Sequence, residues 1–419
     1  MLLFLLGTGL SGTAHSIDQL IFFRALQGLG AGGVQPIAIT IVGDIYSLEE
    51  RGRMQGVFSG VWGIASLIGP ALGGVITDLL SWRWVFYLNL PVGIVSALLL
   101  KLYLTEQATR REHRLDIAGT VLLTLSVTGL LLAVLEGGEA LGLTSPVTLA
   151  GIALSLAGML LFLRQEARAP EPMLPLDLFR DPVIAYASLG STALGTLLLA
   201  ATAYVPMFAQ GVLGGSATEA GMTLATMSLG WPIASTIAGR LLLRVDYRRL
   251  AVFGGITSTV GAVLLALLGA RSSALTLSLV MGLTGFGLGF MATPYLVAVQ
   301  NAVPWGRRGV ATSSVQFFRT IGGAIAVAIF GAVLNAALAP ALAPGMNANA
   351  ALEPALRARL APGQLSLLVG ALDTGLHRIF LGFVVIAVGG LVASWFFPGG
   401  GAAALAHPET RGGGGEAAH

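Results

Sequence analysis

Twelve apolar stretches, each close to the length of a membrane-crossing helix, follow one another along this chain. They lie near residues 1–17, 19–42, 54–77, 82–104, 115–136, 146–165, 183–206, 216–239, 249–270, 274–299, 310–335 and 376–397. About 20 apolar residues are needed to cross the hydrocarbon core of a bilayer as an α-helix. The sequence therefore predicts an all-α polytopic membrane protein with about 12 apolar segments.

The composition excludes several other classes of protein. Hydrophobic residues make up 55% of the chain and charged residues 10%, against about 25% charged residues in a soluble domain. The chain has no cysteine, and its histidines lack metal-ligand spacing. Its single lysine, Lys101, does not follow a glycine as a phosphate-binding loop requires. We expect no enzyme activity, no metal, no cofactor and no nucleic-acid partner.

The basic residues predict the orientation in the membrane. Sixteen of the 23 Lys and Arg residues lie in alternate connections. These connections are 43–53, 101–114, 164–182, 240–249, 301–309 and the tail after 397. Because basic loops remain on the cytoplasmic side, we expect the C-terminus to be cytoplasmic. We expect the chain itself to be a multi-pass protein of the plasma (inner) membrane. Arg24 and Arg319 are left inside spans.

The second span contains a polar helical face. In FFRALQGLGAGGVQP (22–36), Arg24, Gln27 and Gln35 are spaced so that they share one side of a helix. A charge inside a span normally faces protein or a water-filled cavity. The alternative is that Arg24 reaches the nearby outer surface.

A second intramembrane cation lies close to the middle of its span. Thr312, Gln316, Arg319 and Gly323 share a helical face there. Arg319 either lines a cavity or joins a hydrogen-bond network that stabilises the helix bundle.

Glycine patterns mark two further spans. IGPALGG (68–74) places Gly69, Pro70, Gly73 and Gly74 in the third span, where small residues permit close helix packing and the proline bends the helix. The glycine run 285–289 superficially resembles a nucleotide loop. It lies in an apolar helix with no preceding strand, which favours packing.

These motifs resemble the major facilitator superfamily, in particular its fourteen-span drug:proton antiporter branch. Three regions match: the fourth-helix motif R-x-x-Q-G-x-G at Arg24, Gln27, Gly28 and Gly30; the fifth-helix antiporter motif at Gly69, Pro70, Gly73 and Gly74; and WRWVFYLNLPVG (82–93). The resemblance implies two helix bundles around a central cavity. It implies export of drugs or other amphiphilic small molecules by proton antiport and alternating access, with protons and the lipid bilayer as partners, no bound cofactor and a monomeric state.

The motifs lie two spans earlier than the family's order requires. We therefore expect that the first two helices are missing and that residues 1–104 are the remainder of the N-terminal bundle. Two linker helices with cytoplasmic loops would occupy 105–182. The C-terminal bundle would occupy 183–397, with a long external loop at 336–375, and a disordered tail would occupy 398–419. The alternatives are a transport-incompetent truncated form, a misassigned start, or a specific solute transporter of the same fold.

The residue that would bind the coupling proton is not obvious. The acidic residues within or near the spans lie at span ends, and none lies at mid-membrane. Asp44 and Asp116, at cytoplasmic ends, are the candidates. The alternative role for both is interfacial helix capping.

Overall fold

The computed structural model describes residues 1–46, 48–104, 116–137, 144–342 and 360–401. Within these ranges the chain forms thirteen α-helices and no β-strand. The helices are α1 (Leu2–Gly12), α2 (Ile17–Ile45), α3 (Leu48–Leu79), α4 (Arg83–Tyr87), α5 (Asn89–Tyr103), α6 (Ile117–Glu136), α7 (Pro146–Glu166), α8 (Pro182–Met207), α9 (Ala217–Leu241), α10 (Tyr247–Leu267), α11 (Ala274–Ala302), α12 (Arg308–Leu338) and α13 (Pro362–Phe396).

The apolar segments of the sequence coincide with these helices. Among the described residues, nine helical stretches are long and apolar enough to cross a membrane, and one of them runs through both α4 and α5. The other three predicted segments correspond to α1, α3 and α9, of which α1 has only 11 residues. The prediction of an all-α polytopic protein is confirmed.

The end of the chain differs from the sequence-based boundaries. Helix α12 continues to Leu338, and α13 already begins at Pro362. Residues 362–375, which were predicted to lie in an external loop, are therefore helical. Pro362 occupies the first helical position, where a backbone N–H would have no partner within the helix, so its absence in proline costs nothing. Residues 343–359 and 402–419, predicted as loop and disordered tail, lie outside the described residues.

The chain divides into two compact units, of which the first comprises residues 1–45 and 65–113. In its described part, α1 packs against α2, α4 and α5. Two glycines allow the close approach of α1 and α2. A Cβ on Gly7 would meet the backbone of Gln27, and a Cβ on Gly30 would meet the backbone of Phe4.

The second unit comprises residues 46–64 and 114–419, with α8 to α13 as its main body. Large buried side chains, including Phe208, Tyr247 and Phe380, form its core. The glycine run of α11 packs as expected, because Gly285 and Gly289 lie against the backbone of α9 and Gly287 lies against that of α10.

Helices α6 and α7 pair with each other inside the second unit. Asp116 caps α6 by accepting a hydrogen bond from the Gly119 amide at 2.8 Å, and Ser145 caps α7 through the Thr148 amide. A small apolar cluster around Phe162 and Leu174 includes Phe318 of α12. The α6–α7 pair therefore packs against α12.

Candidate functional site

The polar face of α2 forms a hydrogen-bond chain inside the first unit. Arg24 donates from Nη1 to Oε1 of Gln27 at 2.6 Å, and Gln27 donates from Nε2 to Oγ1 of Thr8 at 2.8 Å. Thr8 then donates to the carbonyl oxygen of Phe4. Gln27 is only 8% exposed, whereas Arg24 is exposed. Gln27 therefore anchors the α1–α2 contact, and Arg24 is held by it.

Other residues of the same motif have different surroundings. Gly30 lies against α1, whereas a Cβ on Gly28 would meet no described atom within 4 Å. Gln35 is half-buried, and its side chain forms no hydrogen bond with another described residue. The structure thus brings together Arg24, Gln27 and Gly30 at α1, and leaves Gln35 apart from this network.

The Gly-Pro motif of α3 is only partly visible. Within the described residues, a Cβ on Gly69 or Gly73 would meet no atom within 4 Å. Pro70 and Gly74 lie within α3, but the side chains of Pro70 and Asp44 and the surroundings of Gly74 are outside what the structure describes. A packing role for Gly69 and Gly73 stays a prediction.

The polar face of α12 carries hydrogen-bonding groups that have no partner among the described residues. Thr312 is fully buried and Gln316 is 7% exposed, yet the Thr312 hydroxyl and the Gln316 Nε2 have no hydrogen-bond partner among the described residues. One turn further along, the half-buried Arg319 guanidinium forms no ion pair or hydrogen bond with them. Arg319 lies about 17 Å along the axis from Arg308, the first residue of α12. This distance is about half of a hydrocarbon core about 30 Å thick.

Close packing on α8 fixes the backbone of α12 at this point. A Cβ on Gly195 would meet the carbonyl oxygen of Arg319, and a Cβ on Gly322 would lie 2.6 Å from the Thr192 methyl group. Phe318 packs edge-on against Phe179, with ring centroids 5.5 Å apart. Because these contacts hold the helix on both sides, the direction in which Arg319 leaves the backbone is fixed.

Asp116 has the capping role that the sequence left open as an alternative. Its Oδ1 also accepts a hydrogen bond from Gln165 Nε2 at 3.1 Å. The structure adds a neighbour that our reading of the sequence missed, Glu166, which ends α7 and is 3% exposed. Its position at a span end, among exposed arginines, is typical of an interfacial charge, so no pattern in the sequence indicates its burial.

A second overlooked pair lies on α13. His377 Nε2 is 2.6 Å from the carbonyl oxygen of Leu268, and its Nδ1 is 3.1 Å from Oδ1 of Asp373. The pair was missed because the predicted start of this span, residue 376, excluded Asp373. No group of three or more His, Cys, Asp or Glu side chains suited to a metal ion occurs in the described part of the chain.

Comparisons with known proteins give the family. The Major Facilitator Superfamily model matches residues 1–327. Multidrug transporter protein MdtP of Bacillus subtilis is 35% identical over 332 residues, which cover 79% of this chain and 61% of that protein. Multidrug resistance protein Stp of Mycobacterium tuberculosis is 33% identical over 336 residues, again covering 79% and 61%. The chain thus spans about three fifths of the length of these curated relatives.

A solved structure has a similar fold. The crystal structure of a bacterial homolog to the human lysosomal transporter Spinster, in an inward-facing and occupied conformation, aligns with a TM-score of 0.53 at 17% identity. The alignment covers 94% of this chain and 79% of the homolog. The resemblance that the motifs of α2 and α3 indicated is confirmed at the level of the family. Since the family model matches well over half of its residues, the chain belongs to the Major Facilitator Superfamily.

Proposed function

We propose that this chain belongs to an exporter of drugs or other amphiphilic small molecules, which works by proton antiport and alternating access. We place it in the fourteen-span drug:proton antiporter branch, as a monomer in the plasma membrane with a cytoplasmic C-terminus. The Arg24 and Gly-Pro motifs support this branch. The names of two relatives, a multidrug transporter and a multidrug resistance protein, support the substrate class.

The observation that carries the proposal is the set of unpaired polar groups on α12. A buried hydrogen-bonding group without a partner costs about 1–3 kcal/mol. The Thr312 hydroxyl and the Gln316 amide are two such groups among the described residues, and Arg319 adds a charge without a counter-ion on the same face. A packing role does not explain this cost, because packing is satisfied by the glycine contacts with α8. A substrate that passes this face supplies the missing hydrogen-bond partners, and water supplies them when no substrate is bound.

Arg319 acts as the substrate-facing cation in this proposal. Ionisable residues inside spans mark substrate or ion pathways by default. Its depth in α12 makes a reach to the membrane surface difficult, in contrast to an arginine near a helix end. Gln316 and Thr312, one and two turns away, provide neutral donors and acceptors that tolerate chemically varied ligands.

Arg24 and the antiporter motif have supporting roles. The Arg24–Gln27 bond fixes the guanidinium on α2, and Gln35 lies further along the same helix. We assign the bend and close approach of α3 during alternating access to Gly69, Pro70, Gly73 and Gly74. Asp44 and Asp116 remain the candidates for coupling protons at the cytoplasmic ends.

The test measures ethidium accumulation in energised cells that express the chain. We expect lower accumulation than in cells with an empty vector, and we expect an uncoupler to abolish the difference. Arg319→Ala should reduce the initial efflux rate at least tenfold, equivalent to about 1.4 kcal/mol of lost interaction. The matched control is Arg307→Ala, which removes an exposed arginine paired with Asp177 and should retain wild-type efflux at equal membrane abundance.

Two results would contradict the proposal. If the chain inserts normally but does not lower the accumulation of ethidium or other amphiphilic dyes, drug efflux is wrong for this chain. If Arg319→Ala exports as fast as Arg307→Ala, the α12 face is not part of the substrate path. Efflux that survives the uncoupler would remove proton antiport and leave export.

A further inference from the structure

Two carboxyl groups meet where α6 begins and α7 ends. Each has one satisfied oxygen and one oxygen without a partner. Asp116 Oδ1 accepts from Gly119 and Gln165, while Glu166 Oε2 accepts from the Leu174 amide at 2.9 Å. Asp116 Oδ2 and Glu166 Oε1 are both buried and have no hydrogen-bond partner among the described residues.

The two unpartnered oxygens are directed at the same point. A Cβ placed on Gly119 would lie 2.5 Å from Asp116 Oδ2 and 3.0 Å from Glu166 Oε1. The two oxygens are therefore no farther apart than the sum of these distances. A side chain at position 119 would fill the space between them, so glycine is the residue that lets the two carboxyl groups approach each other.

Within the described residues, no positive charge is paired with either carboxyl group. Leu174, Phe162 and Leu123 form an apolar cluster beside the pair. Titratable or charged groups on the described neighbouring elements are Arg164 on α7, Arg168 and Glu171 in the following connection, Asp177, which pairs with Arg307, and Arg319 on α12. Arg110, Arg111, Glu112, His113 and Arg114 precede α6 in the sequence and lie outside the described residues. None of the described groups forms an ion pair or hydrogen bond with Asp116 or Glu166.

We propose that Asp116 and Glu166 form a proton-binding site in which the two carboxyl groups share one proton. Two like charges in a poorly solvated site repel each other strongly, and one proton removes this repulsion. The proton turns one unpartnered oxygen into a donor and leaves the other as its acceptor. A hydrogen bond between a carboxylic acid and a carboxylate is among the strong ones in proteins.

The shared proton connects three segments at one end of the α6–α7 pair. It links the first residue before α6 to the last residue of α7, and Glu166 in turn holds the 167–175 connection through Leu174. When the proton leaves, repulsion between the carboxylates separates these segments. The site binds its proton whether or not the chain exports drugs, so it does not depend on the function proposed above.

Infrared difference spectroscopy of the purified full chain in lipid nanodiscs tests the site. The C=O stretch of a protonated carboxylic acid is resolved from carboxylate bands, and a pH titration follows its loss. We expect one such band in the wild type at neutral pH, where exposed carboxyl groups are ionised. Glu166→Gln and Asp116→Asn should each abolish it, because an amide in either position donates to the remaining carboxylate and leaves that carboxylate ionised.

Stability provides a second readout with a defined sign. If the folded chain holds a proton that the unfolded chain releases, the free energy of unfolding falls as pH rises through the midpoint of the band. Glu166→Gln should flatten this dependence. The matched control is Asp181→Asn, which removes the N-cap carboxylate of α8 and should keep both the band and the pH dependence.

Several results would overturn the proposal. A wild-type spectrum without a protonated carboxyl band at neutral pH would do so, as would a band at neutral pH that persists in Glu166→Gln. If Glu166→Gln does not fold, a band that persists in Asp116→Asn has the same force. Stabilisation of the wild type by Mg²⁺ or Ca²⁺, in the absence of the band, would show that the carboxylates bind a cation instead.

Discussion

The contact between Gly195 and Arg319 makes the packing of α8 on α12 testable by adding one methyl group. In Gly195→Ala, the new Cβ would overlap the Arg319 carbonyl oxygen and lie 2.6 Å from its carbonyl carbon and 2.9 Å from its Cα. Favourable carbon–carbon contacts lie at about 3.5–4.0 Å. The obstacle is backbone, which cannot rotate away as a side chain does. Helices α8 and α12 must therefore separate by about 1 Å.

The expected cost follows from two opposing effects. Overpacking of a core costs about 1–3 kcal/mol, and a rigid backbone obstacle places Gly195→Ala at the upper end. Alanine is favoured over glycine inside a helix by about 1 kcal/mol, which offsets part of this cost. We expect a net loss of about 2 kcal/mol in the free energy of unfolding, the difference between these two effects.

Gly221→Ala is the matched control for this prediction. Gly221 is an exposed position in α9, where a Cβ would meet no described atom within 4 Å. This variant should gain up to about 1 kcal/mol from helix propensity alone. Both variants are compared with the wild type by circular dichroism during unfolding in mixed detergent micelles. Equal stability of the two variants would refute the close α8–α12 contact and, with it, the fixed direction of Arg319.

Two predictions concern the first unit. A double-mutant cycle of Arg24→Ala and Gln27→Ala should give a coupling energy of about 1 kcal/mol in the free energy of unfolding, and additive losses would contradict this. Arg24→Ala should also abolish efflux while the chain stays inserted, and wild-type efflux by this variant would contradict that expectation. Gly30→Ala should destabilise the unit because its Cβ meets the backbone of Phe4, whereas Gly28→Ala should not; thermal unfolding of both variants checks the contrast, and a stable Gly30→Ala would contradict it.

The sequence predicted the helices because hydropathy and helix length are local properties. All twelve apolar segments coincide with helical residues, and the packing role of the 285–289 glycines is confirmed. The start of α13 was placed too late. Residues 362–375 combine apolar residues with Asp373 and Gly370, and whether such a stretch continues a helix depends on what it packs against. Here the His377 ring beside Leu268 is part of that packing.

The spacing of polar residues along a helix did not predict their hydrogen-bond partners. Gln27 and Arg24 share a helical face, yet Gln27 is buried only because Gly7 lets α1 approach its backbone. Position on a helix thus predicts which residues share a face. It does not predict which neighbour covers that face, since this depends on the volume of side chains on another helix.

Whether a buried polar group has hydrogen-bond partners separates a packing role from a functional one. Both the oxygen and the nitrogen of the Gln27 amide have a partner, Arg24 as donor and Thr8 as acceptor, so its burial is accounted for by stability. Gln316 has the same side chain and similar burial, yet its Nε2 is unpaired among the described residues. Folding alone disfavours that arrangement by about 1–3 kcal/mol. This cost supports our proposal that the partner of Gln316 is a transported molecule or water, which is present only during part of the transport cycle.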